Sequence, residues 1–225
     1  MHDAMREAAA VPTCYIFGAG ACAPLSRRPG PGDLTIAADG GYRTVEALAI
    51  PAQLVVGDFD SLGYVPEHPH VVRVPKEKDD TDLGLALRLG RERGYGRFVI
   101  CGALGGRLDM TVASLQLLAG LSRSGAEGYL LAADGTVVTA VTDGGLRFSA
   151  QCRGTFSVFC HGERALGVSE RGVAYPLEDA ALTCDMPLGV SNEFLGRTAE
   201  LAVRSGTLLV FWHGTPEDVS RKSIP

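Results

Sequence analysis

The chain has 225 residues, 46% of them hydrophobic and 21% charged, enough apolar side chain to bury a core across one large or two small domains. A formal net charge of −5 gives no electrostatic case for nucleic acid or an anionic membrane as partner, and no apolar stretch approaches membrane-spanning length. Six scattered cysteines form no CxxC and lack a histidine cluster, which argues against a zinc or disulfide framework and for a reducing cytoplasm.

Residues 1–10 carry Asp3, Arg6 and Glu7 without a long apolar core and read as a frayed leader, not a secretory signal. Apolar runs follow at 14–17, 34–37, 53–56, 71–74 and 98–101, alternating with helical patterns and each closed by Gly, Asp or Pro. That alternation predicts βαβ units: a mostly parallel α/β sheet, helices on both faces, and ligands beyond the carboxyl ends of the strands. Gly18-Ala19-Gly20 follows the first run, but Ala23 stands where a dinucleotide fingerprint needs its third glycine, and no Walker A sequence is present. Asp39-Gly40-Gly41 follows the second run.

The third run ends in Gly57-Asp58-Phe59-Asp60-Ser61. Two carboxylates at the end of a buried strand are costly to desolvate and repel each other unless a cation lies between them. Such oxygen clusters suit Mg²⁺; an Asx-type turn with solvated aspartates is the other reading. Lys76-Glu77-Lys78-Asp79-Asp80-Thr81-Asp82 then opens a helix through Leu83, Ala86, Leu87 and Gly90. Thr81 or Asp80 serves as N-cap, and Asp82 faces the positive end of the helix dipole. After the fifth run comes Gly102-Ala103-Leu104-Gly105-Gly106-Arg107-Leu108-Asp109. Its glycines let backbone amides approach an anion, and Arg107 offers a planar fork for phosphate oxygens. Asp109 stands at the start of a helix through Leu108, Val112, Leu115 and Ala119.

The pattern changes near residue 134. Asp134-Gly135 and Asp143-Gly144-Gly145 bracket a predicted hairpin strand at 136–142. Short β-type runs at 147–149, 155–160, 172–176, 181–184, 200–203 and 207–212 follow without a helix, as in an antiparallel sandwich. Residues 214–225 read as a polar, loosely held tail, and Tyr175 and Trp212 as core aromatics. The predicted architecture is α/β plus all-β: a Rossmann-like parallel-sheet domain over 1–134 packed on a β-sandwich over 135–225.

Asp39-Gly40-Gly41, Gly57-Asp58-Phe59-Asp60-Ser61-Leu62, Lys78-Asp79-Asp80-Thr81-Asp82 and Gly102 to Asp109 resemble, in order, the motifs of the thiamine pyrophosphokinase family. Phe156-Ser157-Val158-Phe159, Gly172-Val173-Ala174-Tyr175-Pro176-Leu177, Leu188-Gly189-Val190-Ser191-Asn192-Glu193-Phe194 and Gly206-Thr207-Leu208-Leu209-Val210 resemble its carboxyl-terminal segments. The resemblance runs from about residue 14 to 212. One departure is Met110, where bacterial members often carry His.

The resemblance implies transfer of the pyrophosphoryl group of ATP to the hydroxyethyl oxygen of thiamine with release of AMP. It also implies a homodimer that binds thiamine between subunits. On that reading Asp58, Asp60 and Asp82 would hold Mg²⁺ on the polyphosphate, and Arg107, with Lys78 as second choice, would stabilise phosphate oxygens. Asp82 or Asp109 would orient the thiamine hydroxyl. Asp39, Gly40, Asp79, Gly105 and Gly106 would line the nucleotide edge, and Ser191 and Asn192 would meet the aminopyrimidine. Two alternatives use the same residues: a pyrophosphokinase for a pterin-like alcohol, and a non-catalytic nucleotide or thiamine sensor. The Ser191-Asn192 segment speaks against the first, and the full set of acidic residues against the second.

Overall fold

Apolar runs too short for helices become strands, and those of the first half pair in parallel. The computed structural model describes residues 11–75 and 80–223. β1 (Thr13–Phe17), β2 (Leu34–Ala38), β3 (Leu54–Gly57), β4 (Val71–Arg73), β5 (Arg97–Cys101) and β6 (Glu127–Leu131) lie in the order β4-β3-β2-β1-β5-β6, every neighbouring pair parallel. β2, β3 and β4 add on one side of β1 and β5 and β6 on the other. The strand order therefore reverses at β1 and β5, where open α/β sheets leave a crevice for ligands.

Side chains alternate across these strands. Tyr15, Phe17, Val55, Val99 and Tyr129 belong to one core cluster, and Cys14, Ile16, Val56, Phe98 and Ile100 to the other. The second cluster is closed by α2 (Asp82–Glu92), through Leu85, Ala86 and Leu87, and by α3 (Leu108–Arg123), through Leu118 and Leu121. The first takes Val45 of α1 (Gly41–Ala47) and runs on into the apolar interior of the second half. Burial on both faces explains why these strands read as unbroken apolar runs.

The second half hangs on a long antiparallel ribbon. β7 (Thr136–Phe148) pairs with β12 (Ala199–His213) from Thr136↔His213 to Phe148↔Ala199, with a register shift between Val203 and Thr207. One flank of β12 takes β8 (Thr155–Cys160) and then β9 (Arg164–Arg171), which carries β10 (Leu177–Thr183). The other flank of the ribbon takes β6 and then β13 (Val219–Lys222), while β11 (Asn192–Glu193) pairs with β8. The result is a mixed α/β protein in which one hydrogen-bonded sheet, thirteen strands among the described residues, threads both halves.

Four expectations are corrected here. Asp143-Gly144-Gly145 is not a turn: β7 passes straight through it, with Asp143 at φ 45° accepting the Gly206 N–H at the register shift. Pairing with β12 and β13 outweighs the local turn preference. Residues 172–176 are not a strand, because β9 ends at Arg171, although Val173 bridges to Phe194. The tail is not loose: a 3-10 turn at Pro216–Asp218, closed by reciprocal Thr215 and Asp218 bonds, leads into β13. Tyr175 is 68% exposed and so not in the core, whereas Trp212 is buried against Tyr129 and Phe148.

Candidate active site at the carboxyl edge of the parallel strands

Each parallel strand delivers a short polar turn to the same edge. β2 ends at Ala38, and Asp39 takes a left-handed conformation (φ 46°), its N–H donating to Val56 O at 2.7 Å. β3 ends at Gly57; Asp58 follows, and Phe59 (φ 64°) anchors the turn by burying its ring. The Asp60 N–H donates to Asp58 Oδ1 at 3.1 Å, so the Asx-type turn is real. On α2, Thr81 is the N-cap and accepts the Gly84 N–H at 3.0 Å, which places Asp82 in the first turn.

These turns bring Asp39, Asp58 and Asp82 together, one carboxylate oxygen from each lying within 4.8 Å of the others. All three residues are half-buried. Ser61 Oγ donates to Asp39 Oδ2, but Asp39 Oδ1 is buried with no hydrogen-bond partner among the described residues. Three carboxylates at this spacing repel one another, and an orphaned buried oxygen adds to the cost. An all-oxygen donor set with an unsatisfied lone pair fits a hard divalent cation. Asp60 is exposed and stands outside the triplet; with Asp58 and Arg73 it lines a neighbouring cavity of about 400 Å³. Asp39, assigned from sequence to the nucleotide edge, takes the third place in the cluster. Its signal was available in Asp39-Gly40-Gly41, at the end of a strand adjacent to β3. Arg73 went unremarked, hidden as the one charge in an apolar run.

A cavity of about 350 Å³ opens beside the triplet, touched by Gly18, Gly20, Asp39, Asp82, Gly102 and Arg107. It lies at the reversal between β1 and β5. Gly102 (φ 70°) crosses the β1 loop so closely that a Cβ there would meet Gly18 O at 2.5 Å and Gly20 O at 2.8 Å. Only glycine fits that crossing. Gly105 (φ 80°) and Gly106 face open space, and Gly40 caps the start of α1. Leu83, Leu104 and Met110 give the cavity apolar wall. Met110 thus touches the cavity that the glycine-rich turns surround.

Arg107, at the N-cap of α3, forks onto Asp109, with Nε–Oδ1 at 3.2 Å and Nη2–Oδ2 at 2.6 Å. The guanidinium holds the Asp109 carboxyl below the usual carboxylate range. Both side chains are well exposed, so water screens the pair and little opposes its exchange for a phosphate. Lys78 and Asp79 lie outside the described residues.

Ser191 and Asn192 stand apart: the two cavities lined by Asp39, Asp58 and Asp82 contain neither. Ser191 is exposed at φ 60°, its N–H donating to Ser157 Oγ at 3.1 Å. Asn192 is buried, and its amide is fully used. Oδ1 accepts the N–H groups of Tyr175 and Glu193, each at 2.9 Å, and Nδ2 donates to Glu170 Oε2 and Tyr175 O, each at 2.7 Å. No bonding capacity remains for a pyrimidine. In this chain Asn192 builds the loop, and Ser191 beside it faces solvent.

A model of the thiamin pyrophosphokinase catalytic domain matches residues 31–130, and one of the thiamin pyrophosphokinase vitamin B1 binding domain matches residues 146–208. Between them they take in well over half of the chain. Among solved structures, a thiamine pyrophosphokinase from Bacillus subtilis superposes with a TM-score of 0.79 at 24% identity, covering 89% of this chain and 98% of that one. A thiamin pyrophosphokinase family protein from Enterococcus faecalis gives 0.73 at 25% identity, covering 90% and 99%. The thiamin pyrophosphokinase from Candida albicans gives 0.68 at 12% identity, covering 91% and 90%. No curated protein sequence matches at a significant level.

Proposed function

The chain belongs to the thiamin pyrophosphokinase family, and we propose that Asp39, Asp58 and Asp82 are the residues that hold Mg²⁺ on the polyphosphate of ATP. The reaction transfers the pyrophosphoryl group of ATP to the hydroxyethyl oxygen of thiamine, giving thiamine diphosphate and AMP. The observation that carries the metal assignment is the convergence of the three carboxylates, with one buried oxygen unpartnered among the described residues. Mg²⁺ bound there would neutralise charge on the phosphates.

The chain's own groups supply the alignment on which such transfers depend. Gly102 and the Gly18-Ala19-Gly20 turn shape the crevice, and Gly105 and Gly106 leave room for phosphate beside the start of α3. Arg107 releases Asp109 and takes phosphate oxygens with the same fork. Asp109, freed at the rim, is then available to accept a hydrogen bond from the thiamine hydroxyl. Asp60 and Arg73 flank Asp58 in the adjoining cavity, and Arg73 would take the outer phosphate oxygens there.

Several finer readings go with this one. The nucleotide domain spans 1–134 and is Rossmann-like, the thiamine domain spans 135–225 and is a β-sandwich, and the enzyme works in the cytoplasm. Among the described residues no helix is long and apolar enough to cross a membrane. Thiamine binds at a homodimer interface, where Ser191 and Tyr175 of one subunit face the aspartates of the other. Two facts support the sharing: Ser191 lines neither aspartate cavity, and Tyr175, Met186, Leu188 and Leu195 leave apolar surface exposed on the second half. A sedimentation experiment that finds fully active monomers would remove it.

The reaction is tested with thiamine, ATP and Mg²⁺, resolving the nucleotide product. AMP and thiamine diphosphate are expected, with loss of activity on chelation. ADP with thiamine monophosphate would refute pyrophosphoryl transfer, and turnover of a pterin alcohol in preference to thiamine would move the chain to the rival substrate.

A further inference from the structure

β9 sends Ala165, Val168 and Glu170 into the buried interior, and Glu170 breaks the apolar pattern. Its cross-strand neighbours are Leu177 on β10 and Leu201 on β12, and the residue has no exposed surface. A carboxyl there is costly unless paired. Oε2 accepts from Asn192 Nδ2 at 2.7 Å, while Oε1 has no partner among the described residues. Burial lifts the pKa to about 7, opposed by the Asn192 hydrogen bond alone. The charges on the adjoining elements lie at the surface. Arg171 pairs with Glu178, Arg204 with Asp179, and Glu200 with Arg147 and Lys222, while Asp185 and Glu193 are exposed.

Three of the four partners of Asn192 are backbone groups, and Glu170 is the only side chain among them. A turned-over amide would set an NH₂ against the N–H groups of Tyr175 and Glu193. The Glu170 acceptor works against that flip by fixing where the NH₂ points. The same carboxyl also crowds the chain just ahead of Ser191. A Cβ on Gly189 would lie 2.7 Å from Val158 O and 3.4 Å from Glu170 Oε1. Gly189 O in turn accepts the Val158 N–H at 2.8 Å. Glu170 therefore sits where β9, the Tyr175 loop and the segment leading to Ser191 meet.

We propose that Glu170 is a positioning residue for the vitamin: through Asn192 it sets the surface on which Tyr175 and Ser191 stand. The proposal rests on the thiamine reading given above for that surface. Below pH 7 the carboxyl is mostly neutral, and its unpartnered oxygen costs less than a buried charge would. Above pH 7 it is a buried charge with one oxygen unpartnered, and opening of the clamp relieves it. Thiamine recognition thus weakens as pH rises, while ATP recognition at the aspartates does not follow.

The test measures KM for thiamine and for ATP from pH 6 to 8.5 in the wild type, Glu170→Gln and Glu170→Leu. Hydrogen exchange at the Tyr175 and Glu193 amides is followed alongside. Glu170→Leu is expected to raise KM for thiamine about tenfold or more, with KM for ATP within about twofold and both amides losing protection, since a polar network loses its anchor. Glu170→Gln should keep the wild-type KM at pH 6 and abolish the several-fold rise toward pH 8.5. Unchanged KM and exchange in Glu170→Leu would overturn the proposal, as would an equal loss for both substrates. Should that variant fail to fold, the Gln profile decides: a rise identical to wild type overturns it. If the wild type forms no thiamine diphosphate, the thiamine reading falls. The exchange data then still show whether Glu170 holds the two segments.

Discussion

The carboxyl edge of the parallel strands and the interior beside β9 both gather acidic side chains, and they treat them oppositely. At the edge, Asp39, Asp58 and Asp82 bring one carboxylate oxygen each within 4.8 Å of the others, and Asp39 keeps a buried oxygen without a partner among the described residues. Around Glu170 a single acid is surrounded by leucines and tied to an amide whose every donor and acceptor is used. The first arrangement gathers like charge at one point, which a cation brought from solution would relieve. The second is nearly complete in itself, one carboxyl oxygen short, and fixes shape. Like charges gathered at a strand edge invite a cation, whereas a lone acid tied to a buried amide fixes the loops around it.

Neutralising one carboxylate at a time separates the two. Asp58→Asn should lower turnover by about a thousandfold, roughly 4 kcal/mol of barrier, while the metal-free protein melts at the same temperature or slightly higher because a like charge is gone. Near-normal turnover at saturating Mg²⁺ would take Asp58 out of the site. Asn192→Ala should do the reverse, destabilising the fold by about 3 kcal/mol as two backbone N–H groups and a buried carboxyl lose their partner. Denaturant melts check this, and a loss under 1 kcal/mol would mean that the loop is held by other contacts.

Glu170→Gln gives the smallest change and the most specific. The folded pKa, about 7, lies above the ordinary glutamate value of 4.5 kept in the unfolded chain. Between those values the native state binds more protons than the unfolded state, so stability falls as pH rises through the window and stays low above it. The Gln variant escapes that fall. A gap of about 2–3 kcal/mol in its favour should open between pH 4.5 and 8, read as the difference between paired melts. A difference independent of pH would show that Glu170 does not titrate in this range.

Much of this was legible in the sequence where local chemistry decides. Apolar runs closed by Gly, Asp or Pro marked five parallel strands, and Thr81 was readable as a helix cap because its hydroxyl meets the Gly84 N–H. The acidic motifs fall on the carboxyl edge of the parallel strands, as the alternation of runs predicted. What escaped depends on partners distant in the chain. β6 is a five-residue run ending in Tyr-Leu-Leu, too short to separate from the end of a helical stretch. β7 survives an Asp-Gly-Gly because β12 and β13 pair across it, and β13 forms in a polar tail because β7 offers it an edge. Membership of Asp39 in the acid triplet follows from β2 and β3 being neighbours, a matter of strand order that residue spacing does not encode. Glu170 was invisible for the same reason, since only folding reveals that its side of β9 is the inside.

The ribbon of β7 and β12 gives the whole molecule one fate. β7 is hydrogen-bonded to β6 at one end and to β13 farther along, and the interior of the first half continues without a break through Tyr129, Trp212 and Phe148. A chain cut after residue 134 would strip that shared interior and leave the β6 edge bare, ready to template any neighbouring strand. The two halves should therefore melt together in a single transition, and the first half made alone should aggregate where the full chain folds, a result that light scattering of the truncated chain would check. Inheritance of the two functions as one inseparable piece is written into that pair of strands.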